Sequence, residues 1–342
     1  MAGPPAPLTD DQARRWSEVL DNLAGALPPG AASVVVDGGE HTRVVADRLA
    51  ATLLAAGRPC VRLTAGNGRP LATSAHEVAL ADGPQWRDRP PSGRWDVVIW
   101  LRTPPAPGAE RTDRNRDADI VVDLHDPGWP VIRHLTARLA RHGHWYITES
   151  RAFFATRAHT WDTKFGDDLP AYAAAVAEAG IAPGGVVVDA GCGTGRALPA
   201  LRDAVGPTGT VVGLDLTPQM LSVARPRAGA AGASLVLGDA HHLPIAGASV
   251  DAVFAAGLIT HLPDPGVGLA ELARITRPGG RLVLFHPSGR VALAARHGHA
   301  LRPDDPLGEG PLRAATDRTG WLLCAYDDPP HRFFAVATRH RS

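Results

Sequence analysis

Residues 186–195 read Val186-Val187-Val188-Asp189-Ala190-Gly191-Cys192-Gly193-Thr194-Gly195. A β-branched run ends on an acid, and three alternating glycines follow it. The run predicts a buried parallel strand. The glycines predict a tight turn, because they take positive φ without penalty and let a ligand approach the backbone where a Cβ would collide. A turn at the carboxyl end of the first strand is where open α/β sheets bind ligands. G-x-G-x-G alone is shared with dinucleotide enzymes. Asp189, however, would stand where the pyrophosphate of NAD lies and would repel it, so a cationic amino-acid ligand suits this turn better.

Downstream, the same grammar continues. Strands are expected at Thr210–Asp215, Ser234–Gly238, Val250–Ala255 and Arg281–Phe285, with helices at Gly195–Val205, Pro218–Arg225 and Val267–Thr276 between them. Trp321–Asp327 and Phe333–Thr338 predict a closing hairpin. The second strand ends on Asp215, an acid placed to accept both hydroxyls of a ribose. The third ends Gly238-Asp239-Ala240, which sets a carboxylate where an adenine amino group could donate. The fourth leads into Ala255-Ala256-Gly257 and then His261-Leu262-Pro263-Asp264.

The ordered set V-V-D-A-G-C-G-T-G, G-L-D-L-T-P-Q-M-L, G-D-A-H-H-L-P, D-A-V-F, H-L-P-D-P and R-P-G-G-R-L over residues 150–342 resembles the class I S-adenosylmethionine-dependent methyltransferases. The pattern is close to quinone-pathway C-methyltransferases and to natural-product O-, N- or C-methyltransferases. The resemblance implies a Rossmann-like domain with a seven-stranded sheet, and S-adenosyl-L-methionine as cofactor. Carried over by position, Asp189, Gly191, Cys192, Gly193 and Gly195 line the methionine part of the cofactor. Asp215 binds the ribose, Leu216 and Met220 flank the adenine, Asp239 and Ala240 meet its far end, and Ala256 lies near the sulfonium. The implied function is methyl transfer to an O, N or C atom of a small molecule. The alternative is a catalytically inactive cofactor-binding or scaffold protein.

Methyl transfer displaces an already activated sulfonium, so positioning and desolvation supply much of the rate and no metal is compulsory. A nearby base would help a hydroxyl, amine or carbon acceptor. His261, after the fourth strand, and His286, ending the fifth, are the candidate bases, with His159 behind them; each is equally a residue that could serve only structure at an element end. His241-His242 and His297-x-His299 lack the carboxylates a metal site needs and read as surface loop. Cys192 fits the turn as a small side chain rather than a nucleophile. Phe153, Phe154, Trp161 and Phe165 concentrate aromatics ahead of the first strand in a chain only 5% aromatic. In similar methyltransferases the matching segment closes over the cofactor, although an amphipathic helix packed on the sheet would look the same. Asp162, Asp167 and Asp168 read as solvated or capping.

Residues 1–145 read as a smaller α/β domain and 146–342 as the methyltransferase-like one. Thr9 caps a helix to Leu27, Ser33–Asp37 is a strand, and a helix runs from Val44 to Ala56. Strands follow at Cys60–Leu63, Asp96–Leu101 and Asp119–Asp123, residues 64–93 carry only weak periodicity, and Pro130–Gly143 is expected to be helical. The strand, Asp37-Gly38, Ala46-Asp47-Arg48-Leu49-Ala50 and 118–123 resemble uridine-kinase-like P-loop proteins. The phosphate loop should read G-x-x-x-x-G-K-[ST]. With Gly38 as its first glycine, Arg43 and Val44 stand where glycine and lysine belong. The resemblance therefore implies a degenerate nucleoside-kinase-like domain without triphosphate binding.

Composition bounds the rest. In 342 residues, Lys+Arg and Asp+Glu are 35 each, and they balance within each half, 17 of each sign in 1–145 and 18 of each in 146–342. Neither half is a basic body for nucleic acid. The three cysteines form no CxxC pair, so neither a disulfide framework nor a structural zinc site is indicated. The first residues lack a basic and an apolar signal region, and no apolar stretch spans a bilayer. A cytoplasmic enzyme with a small-molecule partner, no nucleic acid and no membrane is expected. A homodimer is compatible with the sequence.

Overall fold

The computed structural model describes residues 8–63, 76–91, 93–104, 117–140, 145–297, 301 and 305–341, apart from the side chains of Lys164, Phe165 and His297. The chain divides into two compact units, Met1–Glu149 and Ser150–Ser342.

The first unit opens with α1 (Asp10–Ala26), where Thr9 and Gln12 form a reciprocal capping box. There follow β1 (Ala32–Asp37), α2 (Thr42–Ala55), β2 (Cys60–Arg62), β3 (Val78–Asp82), α3 (Pro84–Arg87), β4 (Val97–Arg102), β5 (Ile120–Asp123) and β6 (Val131–Leu135), and then α4 (Trp145–Ala155), within which the two units meet in sequence. The six strands form one sheet in the order β2-β3-β1-β4-β5-β6. All neighbours are parallel except β5 and β6. Every residue of β1 is buried, as expected of a strand covered on both faces.

Two expectations fail in this unit. Residues 131–135, expected within a helix, are a strand: Val131 and Ile132 pair with β5 and are buried. Val131, Ile132 and Leu135 satisfied a loose helical spacing, but β-branched pairs also suit an edge strand, and pairing decided. The end of that expected helix, 141–144, lies outside the described residues. β3 was not expected at all. Its Val-Ala-Leu-Ala-Asp core is buried between β1 and β2, and a strand covered on both faces shows no alternation to detect.

The second unit continues with α5 (Trp161–Phe165), α6 (Leu169–Glu178), β7 (Val186–Ala190), α7 (Leu198–Val205), β8 (Thr210–Asp215), α8 (Pro218–Ala230), β9 (Ser234–Leu237), β10 (Val250–Ala256), α9 (Pro265–Ile275), β11 (Thr276–His286), α10 (Arg290–His297), α11 (Glu309–Arg318), β12 (Trp321–Asp327) and β13 (Phe333–Arg339). Its seven-stranded sheet runs β12-β13-β11-β10-β7-β8-β9, with β13 antiparallel to both neighbours. Alternation along the strands builds two cores. Val188, Val253, Leu282 and Trp321 belong to one, while Val187, Phe254, Val283 and Phe285 join Val176 and Leu201 in the other. The Trp321 indole N–H donates to the Leu269 carbonyl at 2.9 Å, so even this buried ring has its polar atom satisfied. Strand β7 lies between β8 and β10, whose connections leave in opposite directions. This switch point puts the carboxyl ends of β7, β8, β10 and β11 on one rim.

Candidate functional site

The glycine turn is held from below by β8. Gly191 and Cys192 both donate their N–H to the Leu214 carbonyl, at 2.8 and 2.9 Å. Gly191, Gly193 and Gly195 have φ of 72°, 53° and 79°, which L side chains adopt only at a cost. Their surroundings differ. A Cβ on Gly191 would lie 3.1 Å from Leu258, and one on Gly195 would lie 2.9 Å from Leu198. A Cβ on Gly193 would meet nothing within 4 Å. Two of the glycines thus serve packing, and Gly193 is the one that faces open space.

Two carboxyls flank the turn. Asp189, at the end of β7, is buried, and its Oδ2 has no hydrogen-bond partner among the described residues. Burial, and then the neighbouring Asp215 charge, push its pKa up to about 8. Asp215, at the end of β8, accepts the Gly193 N–H at Oδ2 (2.9 Å) and the Thr217 N–H at Oδ1 (2.7 Å). Burial raises its pKa, and these backbone donors oppose the rise. Cys192 is buried in the turn, its sulfur 3.1 Å from where a Gly213 Cβ would stand, and burial drives its thiol pKa well up. A protonated, enclosed thiol is no nucleophile. Leu216 gives its carbonyl to the Arg151 guanidinium at 3.0 Å, and Met220 is buried in the first turn of α8.

Asp239 and Ala240 follow β9. His241, expected on a surface loop, is instead buried. Its backbone N–H donates to Asp239 Oδ1 at 3.0 Å, its Nδ1 lies 3.3 Å from the same oxygen, and its Nε2 lies 3.2 Å from the Asp264 carbonyl. Burial works against protonation, but Asp239 and Asp264 outweigh it and raise the imidazole pKa. His241 therefore ties Asp239 to the loop after β10. Asp264 in turn caps α9, accepting from Gly266 and Val267. The missed signal was the Asp-x-His spacing, which closes a side-chain turn. Among the described residues no group of three or more His, Cys, Asp or Glu could hold a metal ion, and His299 lies outside them.

Ala256 ends β10, two residues past Phe254, which pairs with Asp189. His261 is exposed on the short turn after it, its ring edge-on to Phe154 at 5.2 Å. Phe154 also meets Phe153 at 5.0 Å and Trp161 at 5.6 Å. The aromatic segment thus reaches the loop after β10. The side chain of Phe165 is not among those described. His286, ending β11, keeps its Nδ1 within its own loop, 3.1 Å from the Ser288 N and 3.0 Å from the Ser288 carbonyl. Burial lowers its pKa.

Asp162, expected to be solvated or capping, is neither. It accepts the Thr194 hydroxyl at 2.7 Å and the Arg227 guanidinium at 2.6 Å, with Arg196 at 3.4 Å. Burial pushes this carboxyl up, but Thr194, Arg227 and Arg196 outweigh it and hold it below its ordinary value. Arg196 also reaches the Gly166 carbonyl at 2.6 Å and pairs with Asp168. These partners lie 32 to 65 residues away in sequence, and no local pattern announces them.

Comparison with known proteins agrees with this geometry. Residues 188–284 match the family described as "Methyltransferase domain". Over 106 residues the chain is 41% identical to an uncharacterised 37.1 kDa protein in transposon TN4556 of Streptomyces fradiae, covering 31% of each. Over 110 residues it is 39% identical to the demethylmenaquinone methyltransferase of Staphylococcus aureus, covering 32% of this chain and 46% of the relative. The chain thus spans less than half the length of these relatives. Among solved structures, magnesium protoporphyrin IX methyltransferase of Synechocystis PCC 6803, with bound S-adenosylhomocysteine, superposes with a TM-score of 0.44 at 19% identity, over 57% of this chain and 99% of that one. The family match lies wholly within the second unit and takes in the glycine turn at 191–195.

Proposed function

We propose that the protein transfers a methyl group from S-adenosyl-L-methionine to an O, N or C atom of a small-molecule acceptor, of the kind found in quinone or natural-product pathways. The carrying observation is Asp189: a buried carboxyl at the glycine turn with an oxygen that nothing in the described protein satisfies. An orphaned buried acceptor is costly unless a ligand completes it, and an ammonium group does so with charge. Gly193 leaves the space for that ligand open. Asp215 accepts the Gly193 and Thr217 N–H groups, which aim its carboxylate at the rim where a ribose hydroxyl would donate. Leu216 and Met220 flank the adenine, Asp239 and Ala240 meet its amino edge, and Ala256 lies by the sulfur.

The cofactor supplies an electrophilic methyl on a cationic sulfur. This chain orients it and excludes water, which is where most of the rate arises. His261 is the better placed proton acceptor. His286 keeps Nδ1 in its own loop, which leaves Nε2 as its other ring nitrogen for an acceptor. The demethylmenaquinone methyltransferase among the relatives supports an acceptor from a quinone-like pathway.

Within this proposal residues 1–145 are a degenerate P-loop module. The parallel order β2-β3-β1-β4-β5 supports that reading. So does Gly38, where a Cβ would lie 2.3 Å from the Leu101 carbonyl, so that the turn rests on β4 instead of arching over a phosphate. Helix α2 follows with no side-chain cap at His41.

Calorimetric titration with S-adenosylmethionine, with ATP and NAD as controls, tests the proposal. Selective binding of the sulfonium cofactor, lost in D215A, supports it. Tighter binding of NAD, or no binding of any of the three, moves the dehydrogenase or scaffold alternatives ahead.

A further inference from the structure

The glycine turn is pinned from two sides. Asp215 holds the Gly193 N–H. On the other side, both polar groups of Thr194 are engaged: its hydroxyl donates to Asp162 at 2.7 Å, and its carbonyl accepts from Arg227 at 3.1 Å. Arg227 donates to Asp162 as well, at 2.6 Å, closing a triangle among α5, the turn and α8. Thr194 is 1% exposed and Arg196 6%, while Asp162 and Arg227 remain half-buried, so the network is shielded on the side of the turn. Charge-assisted bonds in such a place are short and directional, and they carry position as well as energy.

We propose that Asp162 is a positioning residue for the cofactor turn, acting through Thr194 and Arg227, and that the same carboxylate latches the segment 158–168 onto that turn before any ligand binds. This rests on the cofactor reading above only for what the turn binds; the latch itself is a property of the free protein. Thr194 lies between the glycine that opens to the ligand and the one that packs on α7. Fixing its carbonyl and hydroxyl therefore fixes the direction in which Gly193 faces. The latch also explains why an aspartate stands beside Trp161: it ties the aromatic segment, which reaches His261 through Phe154, to the floor of the site. Binding then begins from an assembled pocket, and the ordering of the segment is not charged against affinity.

Two measurements on the full chain test this. D162N keeps the shape and removes the charge. It should speed amide hydrogen exchange in 158–168 and in 190–196 relative to the rest of the unit, and weaken S-adenosylhomocysteine on the order of tenfold. T194V removes only the hydroxyl and should do the same. D162N weakens the Arg227 and Thr194 contacts together and T194V removes the second, so the combined variant should fall short of the sum of the two. D162E, which restores the charge, should recover part of the protection. Exchange in both segments unchanged in D162N and T194V overturns the latch, as does full additivity of the two. A wild-type protein that binds no S-adenosylhomocysteine overturns the cofactor reading instead, and the exchange comparison still decides the latch.

Discussion

The two units repeat one local design with different outcomes. Val34-Val35-Val36-Asp37-Gly38-Gly39 and Val186-Val187-Val188-Asp189-Ala190-Gly191 are each a β-branched strand, an acid and a glycine turn at the centre of a parallel sheet. Each acid is buried, and each has an Oδ2 without a partner among the described residues. Beyond this they diverge. Asp37 turns its Oδ1 back onto the N–H of Gly38 at 2.8 Å, and Gly38 and Gly39 are glycine because β4 and Thr103 crowd them. Asp189 is followed by a longer turn in which a second acid, Asp215, holds Gly193 open to empty space. Glycines after a strand therefore say little until their neighbours are known. At the end of a central strand, one that would strike protein serves the fold, and one that would strike nothing keeps the space above the turn open.

Substituting the glycines tests this distinction most strongly. G38A places a Cβ 2.3 Å from a backbone carbonyl at φ 109°. Neither obstacle yields to a rotamer change, so roughly 3 kcal/mol or more of stability should be lost. Urea unfolding should show the loss, and S-adenosylhomocysteine affinity should stay near wild type. A stable G38A protein would mean that the first turn has slack, and the contrast would fail. The next largest effect belongs to D215A, which removes the ribose acceptors and releases Gly193. Cofactor affinity should fall about a hundredfold, the worth of one to two charge-assisted hydrogen bonds. Calorimetry reads this directly, and undiminished affinity would refute the ribose role.

Legibility in the sequence followed the range of the contacts. The strands and turns around Asp189, Asp215 and Asp239 are local and repetitive, so the second sheet could be placed nearly strand by strand. In the first unit β3 escaped because burial on both faces erases alternation, and β6 passed for a helix because short apolar spacings fit both periods. At the site, the acids at strand ends could be placed because an α/β sheet brings its strand ends to one rim. His241 and Asp162 were misjudged for a different reason. Asp162 meets Thr194 and Arg227, and His241 meets Asp264, all tens of residues away; only the Asp239 spacing beside His241 was local.

G193A sharpens the comparison from the other side. No atom lies within 4 Å of the added Cβ, so only the left-handed φ of 53° opposes it in the free protein, about 1 kcal/mol. The methyl group would occupy the space held for the ligand, and affinity should fall about tenfold or more. The paired result, G38A weak in stability and normal in binding, G193A the reverse, is the outcome expected if the two turns differ as described.

The smallest effect separates the two acids by pH. Asp189 has its pKa pushed up to about 8, so in the ligand-free protein at neutral pH it is mostly protonated. Pairing with an ammonium requires the carboxylate, so binding at pH 7 must release a proton. Affinity should then rise about fivefold from pH 7 to pH 8 and level off above, as the acid no longer has to be ionised by the ligand. Proton release shows as a binding enthalpy that varies with the ionisation enthalpy of the buffer, and D189N should abolish both the release and the rise. The sign for stability is opposite. An acid whose pKa is raised by folding favours the folded state fully below its unfolded value near 4, and that favour is lost as pH climbs towards 8, because the unfolded chain ionises first. D189N should therefore gain stability on wild type as pH increases across that window while losing the pH dependence of binding. A wild-type affinity flat between pH 7 and pH 8 would mean that Asp189 is already charged in the free protein, or that no cation meets it, and the orphaned oxygen would then have to be satisfied by water.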